Sequence, residues 1–312
     1  MISSREGSRN FYNNVIAPMI SEKFPEYESR IAVGICGEGS DCFGYDDFIS
    51  RDHDFGTGVV LWLTEEDMNR IGGELIAEYD ILIDRMPGNN LTERLKERRG
   101  VMTIRGFYSN ILGINCDIDK CKLSEDDWYM LDHNCLATAV NGEIFRDDLG
   151  KFSAFRNMLL DYYPDKIWKI RIVNELHKFS SALQVNYARC MSRKDVVAAR
   201  LCQIQGLEAA MQLFFLMKRV YPPYYKWIYR KLEEIDNGGE FSVLIKGLSN
   251  ADINTSYWKG EYNASFINIS DPIVDSAEQI AALIVEMLRA NNLTHNTDPY
   301  LERYVDEIEV GR

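Results

Sequence analysis

Two carboxylates set two residues apart, Asp52 and Asp54, are the side chains of this sequence best suited to chemistry. On an extended backbone residues i and i+2 point to one face, with a Cα rise of about 6.6 Å. At that spacing both carboxylates reach one hard cation, or two side by side. Mg²⁺, or Mn²⁺ in its place, takes oxygen ligands and is commonly held by one or two carboxylates together with substrate phosphates. Arg51 stands next to the pair as a cation for phosphate charge. These residue types suit phosphoryl or nucleotidyl transfer.

The elements that must position them flank the pair. Ile31-Ala32-Val33-Gly34-Ile35-Cys36 is a short apolar run, which predicts a buried strand. Gly37-Glu38-Gly39-Ser40 follows, and its two glycines allow a tight turn that brings backbone close to a ligand. The N–H groups around Gly39 and the Ser40 hydroxyl are the expected phosphate donors. A polar loop ends in Ser50-Arg51-Asp52-His53-Asp54, and Val59-Val60-Leu61-Trp62-Leu63 predicts a second strand. The competing reading of Asp-x-Asp is a solvated turn or an Asx cap.

A Gly-Ser turn after one strand and Asp-x-Asp opening the next resembles the signature of the polymerase-β-type nucleotidyltransferase superfamily. Gly39-Ser40 stands at its Gly-Ser element, and Asp52 and Asp54 at its first two metal-binding carboxylates. The wording GEGSDCFGYDD…SRDHDFG is similar to an uncharacterised bacterial branch of that superfamily, a domain of unknown function. Gly142-Glu143-Ile144-Phe145, Tyr162-Tyr163-Pro164 and Tyr224-Tyr225-Lys226-Trp227 extend the likeness over most of the chain. The resemblance implies a nucleotidyltransferase head, Mg²⁺, and an NTP donor, with ATP first among candidates that no base-reading motif separates. It also implies a third carboxylate on a further strand. The strand predicted at Val101-Met102-Thr103-Ile104 has none, and Asp84, Asp117, Asp119 and Glu143 remain open for the role. Decay to a binding or scaffold protein is the alternative this departure raises.

The whole chain sets bounds on these readings. Its 312 residues suffice for one large domain or two ordinary ones. With 35 basic and 48 acidic side chains the net charge is −13, which disfavours unspecific nucleic-acid binding and suits a neutral or cationic acceptor. The N-terminus MISSREGSRNFYNN has no apolar core of a signal peptide, and the apolar stretch Ala209 to Met217 is too short to cross a bilayer. Seven cysteines without a secretion signal point to reduced thiols and a cytoplasmic location. Cys116, Cys121, His133 and Cys135 have an unusual spacing for zinc, and the three cysteines read better as buried or idle thiols.

The expected architecture is α+β: a head at 1–150 with a small mixed sheet and helices on one side, then an all-α helical bundle at 151–312. This layout resembles aminoglycoside-type nucleotidyltransferases. Phe11 to Phe24 predicts a helix started or kinked at Pro18. Thr64 caps another that runs to about Tyr79. Glu93 to Arg99 predicts a solvated basic helix face, with a triphosphate contact as the other reading. In the bundle, Trp168, Ile172, Leu176 and Phe179 follow a helical period, as do Val196, Val197, Leu201, Ile204, Leu207, Met211, Phe214 and Phe215. Ser276 and Gln279 spell a capping box. Tyr221-Pro222-Pro223-Tyr224-Tyr225-Lys226-Trp227 reads either as an aromatic packing corner or as a cleft wall with Lys226 meeting a phosphate. Arg171 and His177 share a spacing with a helical ribonuclease family, the basis of a weaker toxin–antitoxin reading. Six helical residues turn about 600°, so the two do not stack on one face.

Overall fold

The computed structural model describes residues 3–47, 49, 57–86, 98–259 and 262–308. The chain is α+β, with one four-stranded mixed sheet and many helices. It divides into two compact units, Met1–Tyr162 and Tyr163–Arg312.

The first unit opens with helix α1 (Ser4–Phe11), a π-helical turn at Tyr12–Ile16, and α2 (Ala17–Lys23). The helical stretch starts earlier than Phe11 because Ser3 caps it, accepting from the Glu6 amide at 3.2 Å. Pro18 lies in the first turn of α2, where its missing N–H costs least, and the widened π turn precedes it. Strand β1 (Ala32–Ile35) leads to a one-turn helix α3 (Ser40–Phe43). Strand β2 (Val60–Leu63) leads to α4 (Glu65–Asp84). Thr64 caps α4 as expected, accepting from the Asp67 amide at 3.1 Å. The helix outruns Tyr79 because its apolar row Ile71, Leu75, Tyr79 and Ile83 continues into the core. Strand β3 (Gly100–Thr103) passes straight into α5 (Ile104–Leu112), capped by Thr103. Helices α6 (Glu125–Met130) and α7 (His133–Val140), strand β4 (Glu143–Arg146) and α8 (Lys151–Leu160) complete the unit.

The strand order is β3-β2-β1-β4. Strand β1 is antiparallel to both β2 and β4, and β2 is parallel to β3. Every residue of β2 is buried, without polar alternation. Such a strand needs cover on both faces, and the expectation of helices on one side fails for that reason. Leu61 and Leu63 join a core with Ile16, Ile20, Val33, Leu75 and Tyr79. On the other face Trp62 stacks on Phe152 of α8 at 3.9 Å and meets Phe107 of α5 edge-on at 5.3 Å.

The second unit holds α9 (Asp165–Phe179), which continues through a π-helical segment (Ser180–Asn186) into α10 (Tyr187–Ser192). Then come α11 (Val196–Lys218), α12 (Ile228–Asp236), α13 (Glu240–Asn250), α14 (Pro272–Ala290) and α15 (Arg303–Glu307). Trp168, Ile172, Leu176 and Phe179 are buried as their period requires. Helix α14 is not capped by Ser276. It begins four residues earlier, where Asp271 accepts from the Ile273 amide at 2.9 Å and Pro272 takes the first turn. Among the described residues no helix is long and apolar enough to cross a membrane.

Candidate functional site

One end of the sheet gathers the turn after β1 and the starts of the other three strands. The antiparallel register Gly34↔Val60 puts the beginning of β2 beside the end of β1. The parallel register Val60↔Gly100 brings the beginning of β3 to the same level, and Ile35↔Glu143 does so for β4. Tyr79 fixes the approach to β2, its hydroxyl accepting from the Val59 amide at 3.1 Å and donating to the Val59 carbonyl at 2.9 Å.

The turn itself is held from several sides. Gly39 has φ 123°, where a side chain would be strained, and a Cβ there would sit 2.3 Å from Asp41 Oδ1. The Gly37 amide donates to Asn141 Oδ1 at 2.9 Å, and Asn141 Nδ2 donates back to the Gly37 carbonyl at 2.7 Å. Asn141 reaches in because β4 starts hard against β1: a Cβ on Gly142 would lie 1.8 Å from the Ile35 carbonyl oxygen. Ser40 opens α3, and its carbonyl accepts from Tyr45 at 2.8 Å. Arg5 Nη2 donates to the Cys42 carbonyl at 2.8 Å.

Charge at this end is paired. Arg99 is buried and donates through Nη2 to Asp41 Oδ2 at 2.7 Å and to Cys42 Sγ at 3.4 Å. Burial works against the Arg99 cation, but Cys42 and Asp41 more than offset it, and its pKa is raised. Burial pushes the Cys42 thiol up strongly against the pull of Arg99, and pushes the Cys36 thiol up to about 12. Arg98 pairs with Glu38 at 2.8 Å, and Arg9 pairs with Glu143. The expectation of a solvated basic face at Glu93 to Arg99 is thus corrected for its last two members: Arg98 and Arg99 turn toward the carboxylates of the turn, because Gly100 enters the sheet next to it. Residues 93–97 lie outside the described residues.

Gly39 and Ser40 therefore sit at this sheet end. Arg51, Asp52 and Asp54 lie outside the described residues. The chain that carries them joins β2 at Thr57, Gly58 and Val59, on this same end. Lys226 belongs to the second unit, exposed in the turn before α12. Nearby, Tyr221 is buried edge-on against Tyr163 at 5.2 Å, Trp227 Nε1 donates to the Tyr224 hydroxyl at 2.7 Å, and Tyr225 is exposed. The corner thus packs through Tyr221 and shows Tyr225 and Lys226 to solvent. Of the open carboxylates, Asp117 binds Lys120 and Asp119 binds Lys151, while Asp84 ends α4. Glu143 alone among the four stands on a strand.

The remaining candidates do not assemble. Among the described residues no group of three or more His, Cys, Asp or Glu side chains is placed to hold a metal ion, so Cys116, Cys121, His133 and Cys135 form no such set. Arg171 lies over the Tyr163 ring at 4.6 Å, whereas His177 Nδ1 meets Glu302 at 2.8 Å. Asp41 and Asn141 were not singled out by sequence reasoning, and Arg99 only as the last member of the Glu93–Arg99 cluster. The Asn141-Gly142 pair is an ordinary turn signal that points to a backbone clamp only once β4 is known to pair with β1.

A family model described as a domain of unknown function, DUF4037, matches residues 128–228. The match runs from Trp128 on α6 to Ile228 on α12 and includes Glu143, Tyr163 and Lys226. No curated protein and no solved structure matches the chain.

Proposed function

We propose that this chain is a metal-dependent nucleotidyltransferase, of the polymerase-β type it resembles, that moves a nucleoside monophosphate from an NTP to an acceptor hydroxyl. The observation that carries the reading is the Gly34↔Val60 register. It sets the Gly37–Ser40 turn at the sheet end where Thr57–Val59 lead into β2, which supports assigning Asp52 and Asp54, just before them in sequence, to the same site. An acceptor oxygen would attack the α-phosphorus, the bond to pyrophosphate would break, and the hydroxyl proton would pass to a base.

The donor chemistry fits a hard cation. Three carboxylates of this end are paired with cations, Glu38 with Arg98, Asp41 with Arg99 and Glu143 with Arg9, while Asp46 takes the Ser4 amide and hydroxyl. Asp52 and Asp54 are the pair whose spacing suits the metal. Mg²⁺ or Mn²⁺, when bound there, supplies neutralisation of phosphate charge. Ser40 and the backbone around Gly39 would receive the terminal phosphates, and Arg51 the charge of the leaving group. A net charge of −13 favours a neutral or cationic acceptor over nucleic acid.

The test is a thermal-shift series with each of the four NTPs, with and without Mg²⁺, beside Asp52→Asn and Asp54→Asn. Ligand binding to the native state raises the midpoint, by about 2.7 kcal/mol of stability at a hundredfold excess over Kd. One nucleotide is expected to raise it in a Mg²⁺-dependent way that both variants lose. Label transferred from an α-labelled NTP by both variants as well as by the wild type would sink the proposal. A second reading is a nucleotide-binding protein without turnover. It is favoured by β3, which carries no carboxylate over Gly100–Thr103, and by the engagement of Glu143 with Arg9. Nucleotide binding with no transfer to any acceptor would select it.

A further inference from the structure

The apolar period of α11 does not all turn inward. Val197, Leu201 and Ile204 are 70%, 57% and 53% exposed, with Val196 beside them at 45%. They follow at i, i+4 and i+7, the seam spacing of a helix that meets another helix. Among the described residues the bundle does not bury this face. Its contacts come from Ala199, Gln203, Gly206 and Ala210 over the same turns. Arg200 is exposed on the same turns, its Nη1 donating to Gln203 Oε1 at 2.6 Å, and the ends of the stripe carry opposite charge. Arg193 and Lys194 are exposed in the turn before the helix, and Glu208 is exposed one turn beyond Ile204. Asp195, whose carboxylate caps the Ala198 amide at 3.0 Å, offsets one of the two cations, so that end stays net positive.

We propose that this face of α11 binds the same face of a second copy of the chain, the two helices antiparallel about a two-fold axis near Leu201. Lys194 lies seven residues before Leu201 and Glu208 seven after it. An antiparallel pair therefore sets the Arg193-Lys194 end of each copy on Glu208 of the other, and Val197 beside Ile204. A parallel pair would set like charges together, which repels. The contact is isologous and closes at two copies. Glu208 also lies 3.3 Å from Lys178 of its own chain, so in the pair it serves both cations. A single helix seam buries less than the roughly 800 Å² per partner of a standard interface, so the dimer is weak and concentration-dependent.

Sedimentation equilibrium of the full chain over a wide concentration range tests this. The wild type should follow a monomer–dimer equilibrium. Leu201→Glu should be monomeric where the wild type is dimeric, and at dilutions where both are monomeric its melting midpoint should match the wild type's because the side chain is already 57% exposed. Glu208→Lys should weaken association about tenfold or more. Adding Arg193→Glu and Lys194→Glu to that chain should restore it, since both signs are then reversed. If Leu201→Glu fails to fold, the charge-reversal series decides alone. A wild type that stays monomeric throughout overturns the proposal and leaves the face to a different partner. A dimer indifferent to the charge reversals and to Leu201→Glu overturns it as well.

Discussion

Around the Gly37–Ser40 turn arginines meet carboxylates: Arg99 with Asp41, Arg98 with Glu38, Arg9 with Glu143. In the second unit three arginines lie on rings, although Arg230 also stands 3.8 Å from Glu234 and Arg303 pairs with Asp298 at 3.1 Å. Arg219 stacks over Trp168 at 3.8 Å, Arg171 over Tyr163 at 4.6 Å, and Arg230 over Trp227 at 5.8 Å. The two arrangements differ in what can replace the partner. A guanidinium that binds a carboxylate presents the same fork to a phosphate. One spread on an indole is oriented by packing on the ring. The sheet end is thus built from exchangeable contacts, which suits a site for anionic ligands, and the helical unit from contacts that hold helices together.

Arg99→Met is the strongest way to break that contrast. Arg99 is 95% removed from solvent by its 5% exposure, and the variant leaves Asp41 without its cation. Removing one partner of a buried pair costs about 3 kcal/mol or more, read as a lower urea midpoint at constant slope. Adding Asp41→Asn should recover part of the loss, because the uncompensated charge is then gone. A loss under about 1 kcal/mol would mean that Arg99 behaves as a surface charge, and the contrast between the regions would fall.

Thiol ionisation gives a smaller effect. Burial holds the Cys36 thiol up to about 12, while an unfolded thiol ionises near 8.5. The folded pKa is the higher one, so this contribution is fully present below about pH 8.5 and is lost as pH rises toward 12. At pH 9.5 the unfolded state gains about 1.4 kcal/mol from this group. Urea midpoints should fall between pH 8 and 9.5, and Cys36→Ala should fall less by about that amount. Equal slopes would show that water reaches the thiol behind the turn.

The parts legible in the sequence are those set by local pattern. The strand–turn–strand order around Gly37–Ser40 follows from apolar runs and glycines, and the Thr64 cap from a hydroxyl before carboxylates. The helices of the second unit follow from their 3.6-residue period. What failed depended on partners far along the chain. Arg99 looked solvated because its neighbours are charged, yet its partner Asp41 is 58 residues away. The start of α14 was missed because a Ser–Gln capping box outweighed Asp271-Pro272, and Asp271 also takes bonds from the Tyr187 hydroxyl and Trp258 Nε1 at 3.1 and 2.7 Å. The row on α11 has one period but two fates, Phe214 and Phe215 inside and Val197, Leu201 and Ile204 outside, and a period alone cannot say which turns have neighbours.

The smallest effect sharpens the second half of the comparison. Arg219 ends α11 with φ 51°, a left-handed conformation that a side chain adopts at a cost, and it does so with its guanidinium on Trp168. Trp168 is itself tied to the helix end, donating through Nε1 to the Leu216 carbonyl at 2.9 Å. Arg219→Ala removes the ring contact and keeps the strained backbone, so it should cost about 0.5–1 kcal/mol. Arg219→Gly removes the same contact but relieves the conformation, which favours glycine at this position by up to about 1 kcal/mol. The glycine variant should therefore melt above the alanine variant and close to the wild type. If both melt together and well below it, the ring contact carries more than an exposed cation on an aromatic face supplies. The arginine would then brace the end of α11 as firmly as Arg99 braces the turn after β1.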